Sequence, residues 1–372
     1  PAPLMNAKGP TYASLHVYNV DGTAPLDVGY VRCWIGQSTD EVAGTGQWFP
    51  AGEGDDDDKG KINNAAAIAE LAGTDLLRHA APLLLPSHAD RVYVEVGAIS
   101  GGGTPKINAA VIRRLPQLKA VIRYGIGIDT VDLVECTRRR IYVANVPDYC
   151  IDEVATHALT LALSWARKLP IAQQTIKNGQ WDIDPLRPLQ SAQDQVLGLL
   201  GFGRIAQALC RMSRAIGFQV WANDPYVEKS RIQKKGAKPV SLKRLIHGTD
   251  IISLHLPLTP KTRHIIDATT LQAMKPTAYL LNTARGELVD ETALGLALKN
   301  GWIAGAAIDV TEKEPLSQDH PLRSMDNLFI TPHCAWYTER SQKVLRQKAC
   351  AEVIRVLRGD IPKNLVNKAA LR

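Results

Sequence analysis

The apolar stretch Val196-Leu197-Gly198-Leu199-Leu200 runs directly into the turn Gly201-Phe202-Gly203-Arg204-Ile205-Ala206. Five successive residues without a charge are typical of a strand that is buried on both faces of a parallel sheet. Residues Ile205–Ile216 then carry apolar side chains at helical spacing, which predicts a helix starting from the turn. A glycine turn between a buried strand and a helix indicates a dinucleotide site, because bare backbone and helix N-terminal amides can approach a pyrophosphate.

The predicted pyrophosphate-binding residues are those of this turn, namely Gly201, Gly203, Arg204 and Ile205. Ala206 takes the third small position, where helix and sheet must pack closely. The next predicted strand leads into Asp224, whose carboxylate would accept hydrogen bonds from ribose hydroxyls and repel a 2′-phosphate. The cofactor predicted on this basis is NAD, although the basic residues that follow leave NADP open (Lys229, Arg231, Lys234 and Lys235).

Strands and helices alternate regularly after this turn. Six strands are predicted, at Gln195–Leu200, Phe218–Asn223, Ile251–Leu256, Ala278–Asn282, Gly305–Val310 and Leu328–Ile330. The helices between them include Ile205–Ile216, Leu242–His247, Leu271–Met274 and Glu291–Asn300. This alternation predicts an α/β protein whose parallel sheet is doubly wound, with helices on both faces.

The N-terminal part has a weaker pattern. Strands are predicted at Ser14–Val20, Val28–Ile35, Arg91–Val96 and Lys119–Arg123, and helices at Ala65–Ala80 and Lys106–Leu115. The acidic run Asp55–Lys59 is predicted to be a solvated loop. Its sequence is also that of an engineered protease-cleavage site, and both origins stay open.

Residues Ile151–Leu169 are predicted to form one long helix, with acidic residues in the first turn and basic residues in the last, as its dipole favours. It is apolar around most of its circumference, so we expect it to be buried on more than one side. A polar linker over Asn178–Asp194 separates it from the next strand. We therefore predict a Rossmann-type NAD domain at 150–334, inserted in a flavodoxin-like substrate domain formed by 1–149 and 335–372.

Composition limits the class of protein further. A chain of 372 residues is long enough for two domains. No apolar run approaches the roughly 20 residues of a membrane span, and no signal-peptide pattern stands at the N-terminus, so a cytoplasmic location is expected. The net charge of +7 is dispersed along the chain, which favours small anionic ligands over nucleic acid. The six cysteines form no CxxC pair, so free thiols are expected, with neither disulfides nor a metal site.

Three further residues of catalytic type follow predicted strands: Arg285, Glu314 and His333. Each alone has an ordinary structural explanation, as a surface ion pair, a turn residue or a hydrogen-bonded loop histidine. In an open α/β sheet, however, groups at the carboxyl ends of strands face the ligand crevice. Together they predict one catalytic site.

These motifs, in this order and spacing over residues 90–372, resemble the D-isomer-specific 2-hydroxyacid dehydrogenase family. The resemblance implies that Arg285 and Glu314 are catalytic and that His333 donates and accepts the proton. It implies that Asp309 contacts the nicotinamide carboxamide and that the cofactor is bordered by Leu256, Pro257, Thr262, Thr283 and Ala284. It further implies a carboxylate-binding loop in the first domain, made of Arg123, Tyr124, Gly125 and Ile126, and a homodimer formed through the cofactor domain.

The predicted reaction explains these residue types. Hydride passes between the substrate C2 and the nicotinamide, while a proton enters or leaves the oxygen on C2. Histidine suits that exchange near neutral pH, and a carboxylate on its far ring nitrogen favours the imidazolium and fixes the tautomer. The permanently charged fork of Arg285 can hold the substrate carboxylate and polarise the keto group.

Within the family, Thr331–Tyr337 and the tail Gly359–Lys368 are most similar to the C-terminal-binding-protein branch. The resemblance implies that Trp336 packs against the substrate and favours a side chain larger than hydrogen; interdomain packing is its alternative role. Two other functions stay open: an NAD-sensing scaffold or corepressor, and oxidation of an inorganic oxyanion such as phosphite. Formate is disfavoured, because the formate-oxidising relatives carry glutamine where Glu314 stands.

Overall fold

The structure is a computed structural model, and it describes residues 107–115 and 118–371 together with four earlier strands. Of those four strands, and of residue 357, only the backbone is described. The chain divides into two compact units, Pro1–Tyr149 with Glu339–Arg372, and Cys150–Thr338. The predicted helix at 65–80 and the acidic run at 55–59 lie outside the described residues. The assignment of substrate and NAD roles to the two units stays a prediction here.

Two small sheets are described in the first unit. One is antiparallel, in the order β1-β2-β3, with β1 at Tyr12–His16, β2 at Tyr30–Gly36 and β3 at Gln47–Ala51. The other is parallel, in the order β4-β5-β6, with β4 at Tyr93–Glu95, β5 at Ala120–Arg123 and β6 at Tyr142–Ala144. Strand β3 was not predicted, and the flavodoxin-like arrangement of this unit stays a prediction.

The described part of the first unit contains three helices: Ala109–Arg113, Leu133–Arg138 and the long C-terminal helix Glu339–Leu357. The first starts later than predicted because Asn108 caps it, its side-chain oxygen accepting from the amides of Ala110 and Val111 at 2.9 and 3.1 Å. The C-terminal tail is held to β6 by Asn367, whose side chain accepts from the Val143 amide and donates to the Ile141 carbonyl, both at 2.8 Å.

The second unit is built on a seven-stranded parallel sheet in the order β9-β8-β7-β10-β11-β12-β13. Its strands are β7 at Val196–Leu200, β8 at Gln219–Asn223, β9 at Lys238–Pro239, β10 at Ile251–Leu254, β11 at Tyr279–Asn282, β12 at Gly305–Ile308 and β13 at Leu328–Ile330. The chain direction across the sheet reverses between β7 and β10, which is the topological switch point of a Rossmann fold. The predicted α/β class and Rossmann-type domain are confirmed; the short strand β9 was not predicted.

The helices of the second unit are Ile151–Ala166, Leu169–Lys177, Arg204–Ile216, Lys229–Lys234, Leu242–Gly248, Ala268–Ala273 and Glu291–Lys299. The predicted single helix over 151–169 is wrong at its C-terminal end, where two helices meet. Pro170 lacks an N–H and its ring would clash with the carbonyl four residues earlier, so a helix cannot continue through it. Lys168 turns into the left-handed region, with φ of 48°, and Pro170 occupies the first turn of the next helix, where its missing N–H costs nothing.

Each face of the seven-stranded sheet has its own apolar core. One core packs helices Ile151–Ala166 and Arg204–Ile216 against the sheet, and the other packs helix Glu291–Lys299 and its neighbours. Trp165 is the large side chain of the first core: its ring stacks on Tyr279 at 4.8 Å and meets Phe329 edge-on at 5.7 Å. A Cβ on Gly305 would lie 3.0 Å from the indole, so this glycine lets the ring lie flat on the sheet.

Two predictions about the chain as a whole can be compared with the structure. Among the residues that the structure describes, no helix combines the length and the apolar character needed to cross a bilayer. The five cysteines with described side chains are free thiols, as expected (Cys136, Cys150, Cys210, Cys334 and Cys350).

Replacing Trp165 should test the first core. We expect Trp165→Ala to lower the free energy of unfolding by roughly 3–5 kcal/mol, the usual cost of truncating a buried aromatic side chain. Leu296→Ala is the control, because this side chain is 48% exposed and its loss should cost about 0.5 kcal/mol or less. Denaturant unfolding followed by circular dichroism measures both; equal losses for the two variants would contradict the role of Trp165.

Candidate active site

Two backbone segments meet at the switch point of the sheet. Gly201 adopts a φ of +92°, and a Cβ there would lie 2.4 Å from the carbonyl oxygen of His255, which follows β10. The Gly201 amide donates to Asn223 and the His255 amide donates to Leu200, both at 2.8 Å. Only glycine therefore permits this turn, on steric and on conformational grounds.

The turn presents a bare helix N-terminus. Gly203 caps helix Arg204–Ile216, and a Cβ there would meet no atom of the described residues within 4 Å. Arg204 and Ile205 supply the first amides of that helix, where anions are favoured by the dipole and by amides without helical partners. This open cradle fits the pyrophosphate of a dinucleotide.

Asp224 organises the turn and remains open to a ribose. One of its carboxylate oxygens accepts from the Phe202 amide at 2.8 Å and the other from the Tyr226 amide at 2.9 Å. Each oxygen keeps further lone pairs, as a carboxylate offers about four acceptor sites. The acidic group predicted to select NAD thus lies next to the phosphate-binding turn.

The predicted cofactor border lies on the loops after β10 and β11. The Thr262 hydroxyl donates to the Pro257 carbonyl at 2.7 Å and accepts from the Thr259 amide at 2.8 Å, which holds the loop after Leu256 in a tight turn. Beside Ala284, the Thr283 hydroxyl oxygen is buried and finds no hydrogen-bond partner within the described part of the chain. A buried polar atom of this kind fits a site for a polar ligand.

His255 is a residue that the sequence analysis missed. Its Nε2 lies 3.0 Å from the Ser253 hydroxyl, and burial lowers the pKa of His255 to about 4. The imidazole is therefore neutral at physiological pH although it adjoins the predicted phosphate site. A histidine directly after a buried strand at the switch point was the available signal.

The backbone at Arg285 is held in place by a neighbouring side chain, that of Asn282. The buried Asn282 side chain donates to the Arg285 carbonyl at 2.7 Å and accepts from the Ala284 amide at 3.1 Å. A Cβ on Gly286 would lie 2.0 Å from the backbone carbon of Thr311, so the Arg285 segment packs directly on the loop after β12. That loop carries Glu314.

Glu314 and His333 form a hydrogen-bonded pair, with Nδ1 of the imidazole 2.8 Å from Oε2 of the carboxylate. The other carboxylate oxygen accepts from the Thr311 amide at 3.2 Å. Burial alone would raise the pKa of Glu314, but the bond and charge of His333, the Thr311 amide and the Arg285 charge together lower it. The structure thus brings the three predicted catalytic residues to one edge of the sheet, with the carboxyl group ionised.

The backbone of His333 is in the left-handed region, with φ of 53°, which is uncommon for a residue other than glycine. Asp309 stabilises this conformation. Its carboxylate is 2% exposed and accepts from the amides of Cys334 and Ala335, each at 2.9 Å, and from the Thr331 hydroxyl at 2.5 Å. The predicted contact of Asp309 with the nicotinamide stays a prediction; the observed contacts are with the loop that carries His333.

Asp309 also belongs to a group of metal-ligand type. Ligand atoms of His157, Asp309 and Cys334 lie within 4.8 Å of one another, although their sequence spacing follows no metal motif. The His157 Nε2 lies 3.2 Å from the Thr331 hydroxyl, which itself donates to Asp309. Hydrogen bonds account for these contacts, and the expectation that the protein holds no metal stays a prediction.

The predicted carboxylate-binding loop belongs to the first unit. Arg123 donates to the Tyr124 carbonyl at 2.7 Å, and the Asn145 side chain donates to the Ile126 carbonyl, also at 2.7 Å. Gly125 adopts a φ of +145°. Burial raises the pKa of Tyr124 to about 12, against the lowering effect of Arg346, so the phenol is neutral. In the second unit, partly buried Trp336 meets Tyr337 edge-on at 5.6 Å.

Comparison with known proteins gives consistent matches. A family model described as D-isomer specific 2-hydroxyacid dehydrogenase, NAD binding domain, matches residues 159–335. A glyoxylate reductase of Korarchaeum cryptofilum is 36% identical over 272 residues, 72% of this chain and 82% of that protein. A D-3-phosphoglycerate dehydrogenase of Methanocaldococcus jannaschii is 38% identical over 263 residues, 70% of this chain and 50% of that protein.

A solved structure agrees with these relatives. The D-lactate dehydrogenase from Aquifex aeolicus, complexed with NAD and lactic acid, matches with a TM-score of 0.67 and 29% identity over 74% of this chain and 86% of that one. The chain therefore belongs to the D-isomer-specific 2-hydroxyacid dehydrogenase family and is an NAD-dependent enzyme of it. The resemblance inferred from the sequence motifs is confirmed at the level of the family.

Replacing each of the two glycines of the turn by alanine should have different effects on NADH binding and on stability. We expect Gly203→Ala to keep the stability of the protein but to weaken NADH binding by at least about tenfold, because its Cβ would point into space that the pyrophosphate needs. Gly201→Ala should instead destabilise the fold, because its Cβ would overlap the His255 carbonyl. Thermal unfolding and NADH fluorescence titration separate these effects; unchanged NADH binding by Gly203→Ala would exclude this cofactor cradle.

Proposed function

We propose that this enzyme interconverts a short 2-keto acid and the corresponding D-2-hydroxy acid, with His333 as the acid–base group. The observation that carries the proposal is the 2.8 Å bond between His333 Nδ1 and Glu314, next to Arg285 and on the same sheet edge as the glycine turn. An imidazole whose one nitrogen is bound by a carboxylate is an oriented proton donor.

In the proposed mechanism each ring nitrogen of His333 has one task. Because Nδ1 faces Glu314, Nε2 is the atom that would give its proton to the keto oxygen during reduction and take it back during oxidation. The ionised Glu314 would stabilise the imidazolium and hold the ring in place. NAD, when bound, supplies or accepts the hydride.

Arg285 would bind the substrate carboxylate and polarise the C2 carbonyl, since a guanidinium forms paired hydrogen bonds with planar oxyanions. The loop Arg123–Ile126 would add a second carboxylate contact, as the family resemblance implies. Trp336 would form an apolar wall beside the substrate, favouring a side chain larger than hydrogen. The names of the relatives, which include glyoxylate reductase and D-3-phosphoglycerate dehydrogenase, support substrates of two or three carbons.

The finer placement in the C-terminal-binding-protein branch also remains a proposal. It rests on the Thr331–Tyr337 motif and on the tail Gly359–Lys368. That branch would combine the same three catalytic residues with recruitment of peptide partners. Measured turnover with a keto acid separates the enzyme from a scaffold that only binds NADH, and turnover with phosphite would indicate the oxyanion reaction instead.

The test of the proposed function is a panel of keto acids. We expect NADH oxidation with pyruvate or hydroxypyruvate, faster than with glyoxylate because of the Trp336 wall, and in the reverse direction oxidation of the D but not the L hydroxy acid. His333→Ala should bind NADH normally and lose roughly 10²–10⁴-fold in kcat, the usual contribution of general acid–base catalysis.

His247→Ala is the matched control, because His247 is an exposed helical histidine bonded to the Lys243 carbonyl at 2.9 Å. It should keep wild-type turnover. The absence of turnover with every acid despite NADH binding would contradict the proposal, and so would near-normal kcat of His333→Ala.

The assembly that we propose is a homodimer formed through the second unit. Its surface carries a run of large exposed apolar side chains just after helix Ile151–Ala166, namely Leu169, Ile176, Trp181 and Ile183, and Trp181 is 93% exposed. A concentrated set of this kind on one surface segment is typical of a protein–protein contact. A second copy is the occupant that the family resemblance implies.

Substitution of Trp181 tests this assembly. We expect Trp181→Ser to shift the protein from dimer toward monomer in sedimentation-velocity experiments, because central aromatic residues often dominate interface free energy. Tyr226→Ser, which removes an equally exposed aromatic ring (88%), should leave the dimer intact. A wild-type protein that is monomeric at micromolar concentration would contradict the proposed assembly.

A further inference from the structure

Two glutamates next to the proposed catalytic pair bind each other's backbone. Glu312 Oε1 accepts from the Glu291 amide at 3.4 Å, and Glu291 Oε1 accepts from the Glu312 amide at 2.5 Å. We call this reciprocal arrangement the glutamate clasp. It joins the first residue of helix Glu291–Lys299 to the loop after β12, two positions before Glu314.

Basic side chains from two other segments of the chain lie beside the two carboxylates. The Nε2 of His264 lies 3.0 Å from Glu312 Oε1, and an Arg263 guanidinium nitrogen lies 3.8 Å from Glu312 Oε2. The Nε2 of His320 lies 3.7 Å from Glu291 Oε2. Burial raises the pKa of Glu291, and the charges of Glu312 and Glu287 also raise it, against the lowering effects of the Glu312 amide and of His320. The clasp is therefore a partly buried charge cluster and not a pair of solvated side chains.

Helix capping accounts for only one half of the clasp, the bond from the first helical amide, that of Glu291, to Glu312. Asp290 already caps helix Glu291–Lys299, since its carboxylate accepts from the Ala293 amide at 2.9 Å. The bond from the Glu312 amide to Glu291 satisfies a loop donor, and no helical group needs it. Its effect falls on the loop Thr311–Glu314.

Hydrogen bonds within the loop Thr311–Glu314 connect the clasp to Glu314. The Thr311 amide donates to Glu314 Oε1 at 3.2 Å, and the Thr311 hydroxyl donates to the Lys313 carbonyl at 2.9 Å. On its other side the loop is packed against Gly286, which leaves no room for a Cβ. The clasp thus fixes the backbone from which Glu314 reaches His333.

We propose that Glu291 and Glu312 are positioning residues that keep Glu314 within hydrogen-bond distance of His333. The inference rests on the proposed acid–base roles of Glu314 and His333. On this proposal the clasp acts through the loop and not by direct contact with substrate or cofactor. Because displacements of about 1 Å can cost 10²-fold in rate, loosening it should reduce catalysis without affecting NADH binding.

The experiment compares variants of the clasp with Glu314→Gln in the reduction of the best keto acid. We expect Glu312→Ala to lower kcat by roughly 10–100-fold and to leave the NADH dissociation constant within about twofold. Glu291→Ala removes the other half of the clasp and should have the same effect. Glu312→Gln keeps an oxygen acceptor for the Glu291 amide, so its kcat should stay within about threefold of wild type.

The pH profile distinguishes positioning from general damage. Reduction needs the protonated imidazole, and a nearby carboxylate stabilises that form. Loss of this carboxylate makes the imidazole give up its proton at lower pH. As pH rises, the rate of reduction by Glu314→Gln should therefore begin to fall at a lower pH than the rate of the wild type. Glu312→Ala should shift this fall in the same direction. Lys313→Ala, which removes an exposed side chain of the same loop, should change neither kcat nor the profile.

Each outcome has one meaning. A Glu312→Ala enzyme with wild-type kcat, or with reduced kcat and an unshifted profile, would overturn the proposed positioning role. If Glu314→Gln shifts the profile and neither clasp variant does, only the clasp proposal fails. If Glu314→Gln itself shifts nothing, the proposed acid–base pair fails and the clasp proposal fails with it. If Glu312→Ala does not fold, Glu312→Asp can replace it. Its side chain is one methylene shorter, so the carboxylate moves away from the Glu291 amide, and kcat and the pH profile can be compared in the same way.

Discussion

The buried carboxylate of Asp309 is the charge on which the geometry of the active site depends. A carboxyl group that is 2% exposed would be very unfavourable unless donors surround its oxygens. The amides of Cys334 and Ala335 and the hydroxyl of Thr331 provide those donors, and all three lie on the loop that carries His333. Satisfying this one charge therefore holds His333 in a left-handed backbone conformation that the residue would rarely adopt by itself.

Close backbone contacts bring the remaining groups to the same sheet edge. Gly201 lies against the His255 carbonyl and Gly286 against Thr311, in both cases with no space for a Cβ. The first contact opens a helix N-terminus at the proposed pyrophosphate site, and the second places the Arg285 segment on the loop of Glu314. The surroundings of each titratable group set its charge. Burial keeps His255 neutral, whereas His333, Thr311 and Arg285 keep Glu314 ionised. The edge thus joins the proposed cofactor cradle to the proposed acid–base pair.

Local patterns predicted most of the second unit. Its six predicted strands, its glycine turn and its candidate catalytic residues all follow from short-range features, because a buried parallel strand and an amphipathic helix have distinct periodicities. The errors have local causes too. Pro170 ended the helix predicted to reach Leu169, and the two residues of β9 are too few to show any period. In the first unit the patterns were weaker, and strand β3 of the antiparallel sheet was missed.

The sequence by itself determined the family and the residue types available for catalysis, and it favoured NAD as the cofactor, because these depend on motifs of a few neighbouring residues. Only the tertiary structure decided how those residues are held. The bond of Asp309 to Thr331 spans 22 positions, and that of His264 to Glu312 spans 48. No periodicity links residues so far apart, since their meeting depends on strand order and on which buried charges find donors. The glycine turn could be recognised in the sequence, whereas the contacts that hold Glu314 and His333 in place could be recognised only in the tertiary structure.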